Sequence, residues 1–196
     1  MSEKAAVYIP VVCVIEEKAK IFDLLKNILK SSGGEKSIFL YGGADFSWDI
    51  KKYIDENDVL IFRLADVFML PEIKNERVDL IVLGEYKSFG NLNNISYPDN
   101  IKTILLNIDN SGGLKNLAQN IQVITCGLKE KDTVIFSSIN LDEGSVILDL
   151  QRSIKNINGE TLEPFEKQIV LPCFALTLKA EDLILPLTAL TFCGKI

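Results

Sequence analysis

Residues 102–138 read KTILLNIDNSGGLKNLAQNIQVITCGLKEKDTVIFSS, three apolar runs each closing on polar residues. Thr103-Ile104-Leu105-Leu106 ends in Asn107-Ile108-Asp109-Asn110. A Gly112-Gly113 turn and a short helical segment lead to residues 121–124, which end in Thr125-Cys126-Gly127. The third run, residues 133–136, enters Ser137-Ser138. Short apolar runs of this length are buried strands, and polar residues at a buried strand's end are where open α/β sheets keep ligands.

Upstream of this stretch the chain repeats strand, turn and helix. Residues 7–15 form a β-branched run suited to a strand buried on both faces, with Pro10 unable to donate to a ladder. Residues 16–30 carry Ile21, Leu24, Leu25, Ile28 and Leu29 at helical spacing, with Gly33-Gly34 as the stop. Strands are expected at 37–41, 58–63 and 79–83. A helix over 45–55 would have Asp45 as its N-cap, and a loop is expected at 91–100. Residues 64–76 fit neither pattern cleanly, because Pro71 interrupts any helix there.

Downstream the rhythm changes. Residues 133–139, 145–152 and 166–171 are strand-like with no helical pattern between them, and turn signals stand at Asp142-Glu143-Gly144 and Asn158-Gly159. Neighbouring strands without crossovers are antiparallel. Residues 179–193 predict a helix containing Pro186. The expected architecture is therefore α/β: a mostly parallel sheet flanked by helices over 1–130, a small antiparallel subsheet over 131–178 and a C-terminal helix over 179–196, in one domain.

Composition narrows the function. The 196 residues carry 27 acids against 21 lysines and arginines, a net charge of −6. That argues against nucleic acid or an anionic membrane as partner, since both need a basic footprint. No apolar run reaches the length of a membrane span and no leader pattern is visible, so the cytoplasm is the expected location. Histidine is absent, which removes the commonest general base and metal ligand. The 4 cysteines form no C-x-x-C pair and read as small buried hydrophobes. The acids Asp45, Asp49, Asp55, Glu56 and Asp58 read as a solvated helix face. Gly42-Gly43-Ala44-Asp45 reads either as a plain turn or as an anion seat. Phe46 and Trp48 read as packing residues.

Against this background several stretches resemble the central, ATP-binding domain of the Mur ligases, which add amino acids to a peptidoglycan precursor. The resemblance covers most of the chain through individually weak motifs, and it implies a P-loop-like fold. The family's phosphate loop, G-T-x-G-K-T/S, matches Val14-Ile15-Glu16-Glu17-Lys18-Ala19. Lys18 falls on the phosphate-binding lysine, although the chain pattern alone reads it as a solvated first-turn lysine. The glycines and the Mg²⁺-binding hydroxyl are gone. Such a loop works because glycines let backbone N–H groups wrap phosphate, whereas Glu16 and Glu17 place negative charge there. Arg63 stands near the family's Mg²⁺-binding acid. Residues 83–90 match its histidine-containing run, with Glu85 the one acid nearby. Asn107 and Asp109 match N-x-D-D, the pattern alone reading a strand-end turn, and Thr125 and Gly127 match T-x-G. Lys179-Ala180-Glu181-Asp182 stands where the family has G-x-H-N, and a later family asparagine aligns near Leu185.

The resemblance thus implies a protein with no catalytic residues and no metal ligands, with Lys18, Asn107, Asp109 and Thr125 as residual nucleotide contacts and ATP as a weakly held ligand at most. The family's two flanking domains have no counterpart in these residues. The expected mode of action is binding, through a homo-oligomer or another protein on the apolar C-terminal third. A weak nucleotide enzyme, or a ligase subunit completed by another chain, is the alternative.

Overall fold

The structure, a computed structural model, describes residues 8–33, 36–41, 59–73, 75–85, 101–107 and 121–196. The expected helix at 45–55, the loop at 91–100, the segment after Gly112-Gly113 and Asp109 lie outside the described residues.

Six short strands form a parallel sheet: β1 (Val11–Ile15), β2 (Ile38–Tyr41), β3 (Leu60–Leu64), β4 (Leu80–Leu83), β5 (Thr103–Leu106) and β6 (Gln122–Thr125), in the spatial order β2-β3-β1-β4-β5-β6. Helix α1 (Lys20–Ser31) crosses from β1 to β2. Strands β1, β4 and β5 are buried at every position because both faces of the sheet are covered there, whereas β3 carries the partly exposed Arg63 and the edge strand β6 buries only Ile124. Alternation then divides each strand. Val12, Val14, Ile61, Leu80, Val82 and Leu105 face one core with α1. Val11, Cys13, Ile15, Leu60, Phe62 and Ile81 face a second core with Leu70 and Ile73. Those last two lie on a 3-10 turn, Val67–Ile73, which accommodates Pro71 where a regular helix could not.

The C-terminal third is antiparallel, as its turn spacing predicts. Strands β7 (Val134–Asn140), β8 (Ser145–Leu150) and β11 (Phe165–Val170) pair in the order β11-β8-β7. The glycine at the β7–β8 turn, Gly144, takes φ +70°, and Gly159 takes φ +85°. Around Gly159 the sequence signal marked only a turn, but two-residue strands β9 (Ile154–Lys155) and β10 (Thr161–Leu162) make a hairpin there. It caps the sheet edge through a side chain. The Gln122 amide donates to the Lys155 carbonyl at 2.7 Å and accepts the Lys155 N–H at 2.8 Å, standing in for a strand partner of β6.

Helix α2 (Ala180–Phe192) is apolar around most of its circumference, and residues 183–190 are all buried. A helix of that kind has to be covered on every side. Its cover comes from the chain itself: α1 on one flank, β7 and the ends of β4 and β5 on the others. The helix continues through Pro186. No helix among the described residues is long and apolar enough to cross a membrane.

Candidate functional site

The carboxyl ends of β1, β4 and β5, together with the first turns of α1 and α2, enclose a cleft. In the strand order, β1 sends its connection towards β2 while β4 sends its own towards β5, so the cleft lies at the point where the winding reverses. Its walls include Glu16, Glu17, Lys18, Lys20, Glu85, Asn107, Glu181, Asp182 and Leu185, around about 680 Å³ of space counted to its open mouth.

Glu16 organises this edge. The periodicity predicts it as the first helical residue, but the helix begins at Lys20 and Glu16 folds back over the start. Its residue is only 2% exposed. Its Oε2 accepts the Ile21 N–H and its Oε1 accepts the Phe22 N–H, both at 2.9 Å. These are first-turn donors that have no partner within the helix, and the positive end of the helix dipole favours a carboxylate there. Arg63, at the end of β3, braces the turn. Its Nη2 donates to the Glu16 carbonyl at 2.9 Å and the Glu17 carbonyl at 2.7 Å, and its Nε lies 3.9 Å from Glu16 Oε1. Burial pushes the Glu16 carboxyl above the ordinary range, against the lowering pull of the two amides and Arg63.

Gly84 makes this arrangement possible. A Cβ at Gly84 would come within 2.8 Å of Glu16 Cβ and 2.9 Å of Ile21 Cδ1, so any larger residue after β4 would push Glu16 off the helix start.

The expected nucleotide residues separate here. Lys18 is exposed and lines the cleft, and Asn107 lines it from the end of β5. Asp109 lies outside the described residues. Thr125 is not among the cleft's lining. Its Oγ1 accepts the Thr133 N–H at 2.9 Å, joining β6 to the antiparallel third. Gly127, expected to serve by backbone shape, is required by close approach instead, because a Cβ there would overlap the Asp132 carboxylate.

Lys20 is a cleft residue that the helical pattern hid as one more exposed lysine. Its ammonium bonds Asp182 Oδ1 at 2.6 Å, tying α1 to α2, and this bond raises its pKa. Glu181 and Asp182 sit in the first turn of α2, where acids oppose the helix dipole. That first-turn pattern was the available signal for their position. Among the described residues no cluster of three or more metal-ligating side chains is arranged to hold a metal ion. No family model matches this chain, and no curated protein matches it.

Proposed function

We propose that this chain is a P-loop-like, Mur-ligase-like protein related to the peptidoglycan precursor ligases, one that performs no ligase chemistry and acts by binding. The observation that carries the reading is the Glu16 carboxylate on the Ile21 and Phe22 amides. In a phosphate loop those donors belong to the nucleotide. Here an internal carboxylate holds them, and a phosphate arriving at this seat meets a buried like charge. The positions matched on the family's motifs also support it. Lys18, Glu85, Asn107, Asp182 and Leu185 are far apart in sequence and line one cleft.

Binding to a second copy or to another protein through the C-terminal third is part of this proposal. Since α2 is covered from within, the surface for it is the outer side of β11, where Val170 is 79% exposed. Light scattering on wild type and Val170→Asp tests this. A mass of 21.9 kDa for both, with no partner lost in the variant, removes that part.

A second reading, a weak nucleotide enzyme or a subunit completed by another chain, draws on Lys18, Asn107 and Glu85 facing the same space. Calorimetry with ATP and Mg²⁺ separates the two. Binding without the loop's donors is expected near millimolar or weaker, about −4 kcal/mol, with no hydrolysis above background. Micromolar affinity, or turnover that disappears in Lys18→Ala, would overturn the leading reading.

A further inference from the structure

Strand β11 borders the antiparallel sheet, and no described strand pairs with its far side. The Leu171 N–H donates to the Gly144 carbonyl at 2.7 Å, so the odd-numbered residues turn their backbone groups towards β8. Glu166, Gln168 and Val170 point theirs outward, and all three are exposed. Other edges are guarded. The Gln122 amide caps β6. Strand β7 starts against β6 through the Cys126–Val134 bridge and then bulges between Phe136 and Ser138. Strand β11 instead keeps an unbroken register from Phe165 to Val170, the kind of bare edge that natural monomers avoid. From 164 to 172 the chain reads Pro-Phe-Glu-Lys-Gln-Ile-Val-Leu-Pro. Pro164 and Pro172 stand equally far from Gln168, in phase with the outward residues, and neither has an N–H to give.

We propose that this edge takes β11 of a second copy of the chain, antiparallel about a twofold axis at Gln168, joining two three-stranded sheets into one. This rests on the binding function proposed above and names its partner and the mode of contact. In that register Gln168 faces Gln168, Glu166 faces Val170 and Pro164 faces Pro172. About six N–H···O bonds form, and no donor or acceptor of Glu166, Gln168 or Val170 is spent on a proline. Moving the axis by one residue is less favourable either way. An axis at Lys167 sets two lysines opposite each other, and like charges so placed destabilise a sheet. It also sets Val170 against Pro164. An axis at Ile169 sets Glu166 against Pro172. An unrelated strand would find the same backbone groups but not the matched prolines. On its helix side β11 borders a hollow of about 550 Å³, lined by Ile28, Ser32, Ile169, Pro172, Leu187 and Ile196. The hollow gives room to the inward side chains of the added strand. The Lys167 ammonium is already held by the Ile196 carbonyl at 2.6 Å.

The test combines sedimentation of the full chain with cysteine cross-linking. Wild type should show a mass twice 21.9 kDa that falls on dilution. Cross-linking uses a Cys173→Ser background, because Cys173 is exposed. Hydrogen-bonded partners stand about 5.5 Å apart at Cα, within disulfide reach. Gln168→Cys should therefore link to its own copy under mild oxidation. Glu166→Cys and Val170→Cys should each stay unlinked alone and link to one another when mixed. Gln168→Pro removes only an outward N–H and leaves the ladder to β8 intact; it should weaken the dimer about a hundredfold. Gln168→Thr should match wild type. Far-UV circular dichroism checks that each variant folds. If Gln168→Pro does not, Gln168→Lys replaces it, with a weakening of about fivefold that salt relieves. A 21.9 kDa monomer up to millimolar chain, equal self-linking by all three cysteine variants, or an unweakened dimer in Gln168→Pro overturns the pairing. So does a monomer that takes an unrelated extended peptide at β11, though the binding function then stands. Micromolar ATP binding by wild type would instead overturn that function, so the two failures are told apart.

Discussion

Two buried carboxylates stand at opposite ends of the parallel sheet, and they are held in different ways. Asp79 precedes β4 at the amino edge. It accepts the Tyr8 hydroxyl at 2.5 Å, the Val11 N–H at 2.9 Å and two N–H groups of Arg77 at 3.0 and 3.1 Å. Arg77 also stacks over the Tyr8 ring at 4.2 Å and bonds the Ile9 carbonyl. Glu16 follows β1 at the carboxyl edge and leans on backbone amides five and six residues ahead, with Arg63 as a distant brace. Asp79 gathers groups from separate segments, so it fastens the fold. Glu16 closes its own helix and lines a cleft, so it sets the charge of part of the cleft wall. Burial is common to both acids, and their position relative to the strand ends distinguishes an acid inside the fold from one that borders a cleft.

The largest effect should come at the amino edge. Asp79→Ala leaves Tyr8, the Val11 N–H and a half-exposed Arg77 without their acceptor. The expected loss is about 3 kcal/mol, the low end of the range for breaking a buried pair because Arg77 keeps access to water. Urea denaturation measures it; a loss below about 1 kcal/mol would mean that Asp79 fastens little. Next is Gly84→Ala, which presses on Glu16 and Ile21. Overpacking of this kind costs about 1–3 kcal/mol, and the control Gly159→Ala, with nothing within 4 Å but a strained φ of +85°, separates crowding from backbone strain. A Gly84 variant as stable as wild type would show that Glu16 moves aside freely.

A smaller effect distinguishes Glu16 by its titration. Its carboxyl is raised in the folded chain, so between the unfolded value and the folded one the native state binds more protons. Its contribution is therefore fully present below the unfolded value and is lost as pH rises through the folded one, with a slope of at most about 1.4 kcal/mol per pH unit. Glu16→Gln should remove that slope from denaturation curves collected upward from pH 4, and an unchanged slope would place the titration elsewhere. The smallest effect compares the thiols at the two ends. Burial raises Cys126 and Cys193 to about 12, with Asp79 adding to the rise at Cys193. In native protein at pH 8 a thiol reagent should find one fast-reacting group, exposed Cys173. Asp79→Ala should then release Cys193 to the reagent before Cys126, and simultaneous release would mean that the two ends open as one.

The sequence by itself determined the layers. Runs such as Val11–Ile15 and Leu80–Leu83 are apolar at every position, which only a doubly covered parallel strand requires, and the change to hairpin spacing after residue 131 announced the antiparallel third. Helical periodicity likewise placed α1 and α2 to within a few residues, because burial of an apolar face is a local, repeating demand. The strand ends that border the cleft were legible too, at Lys18, Glu85 and Asn107. Tertiary structure alone decided what those ends do. Periodicity put Glu16 inside a helix; it bends out because Gly84, 68 residues further on and just past another strand, leaves the room. Thr125 bonds Thr133 instead of lining the cleft, and Lys20 leaves a solvated helix face to meet Asp182 on the last helix. Each of these depends on which atoms meet across the sheet edge. A single side chain's hydrogen bond or missing Cβ repeats with no period that the chain could display.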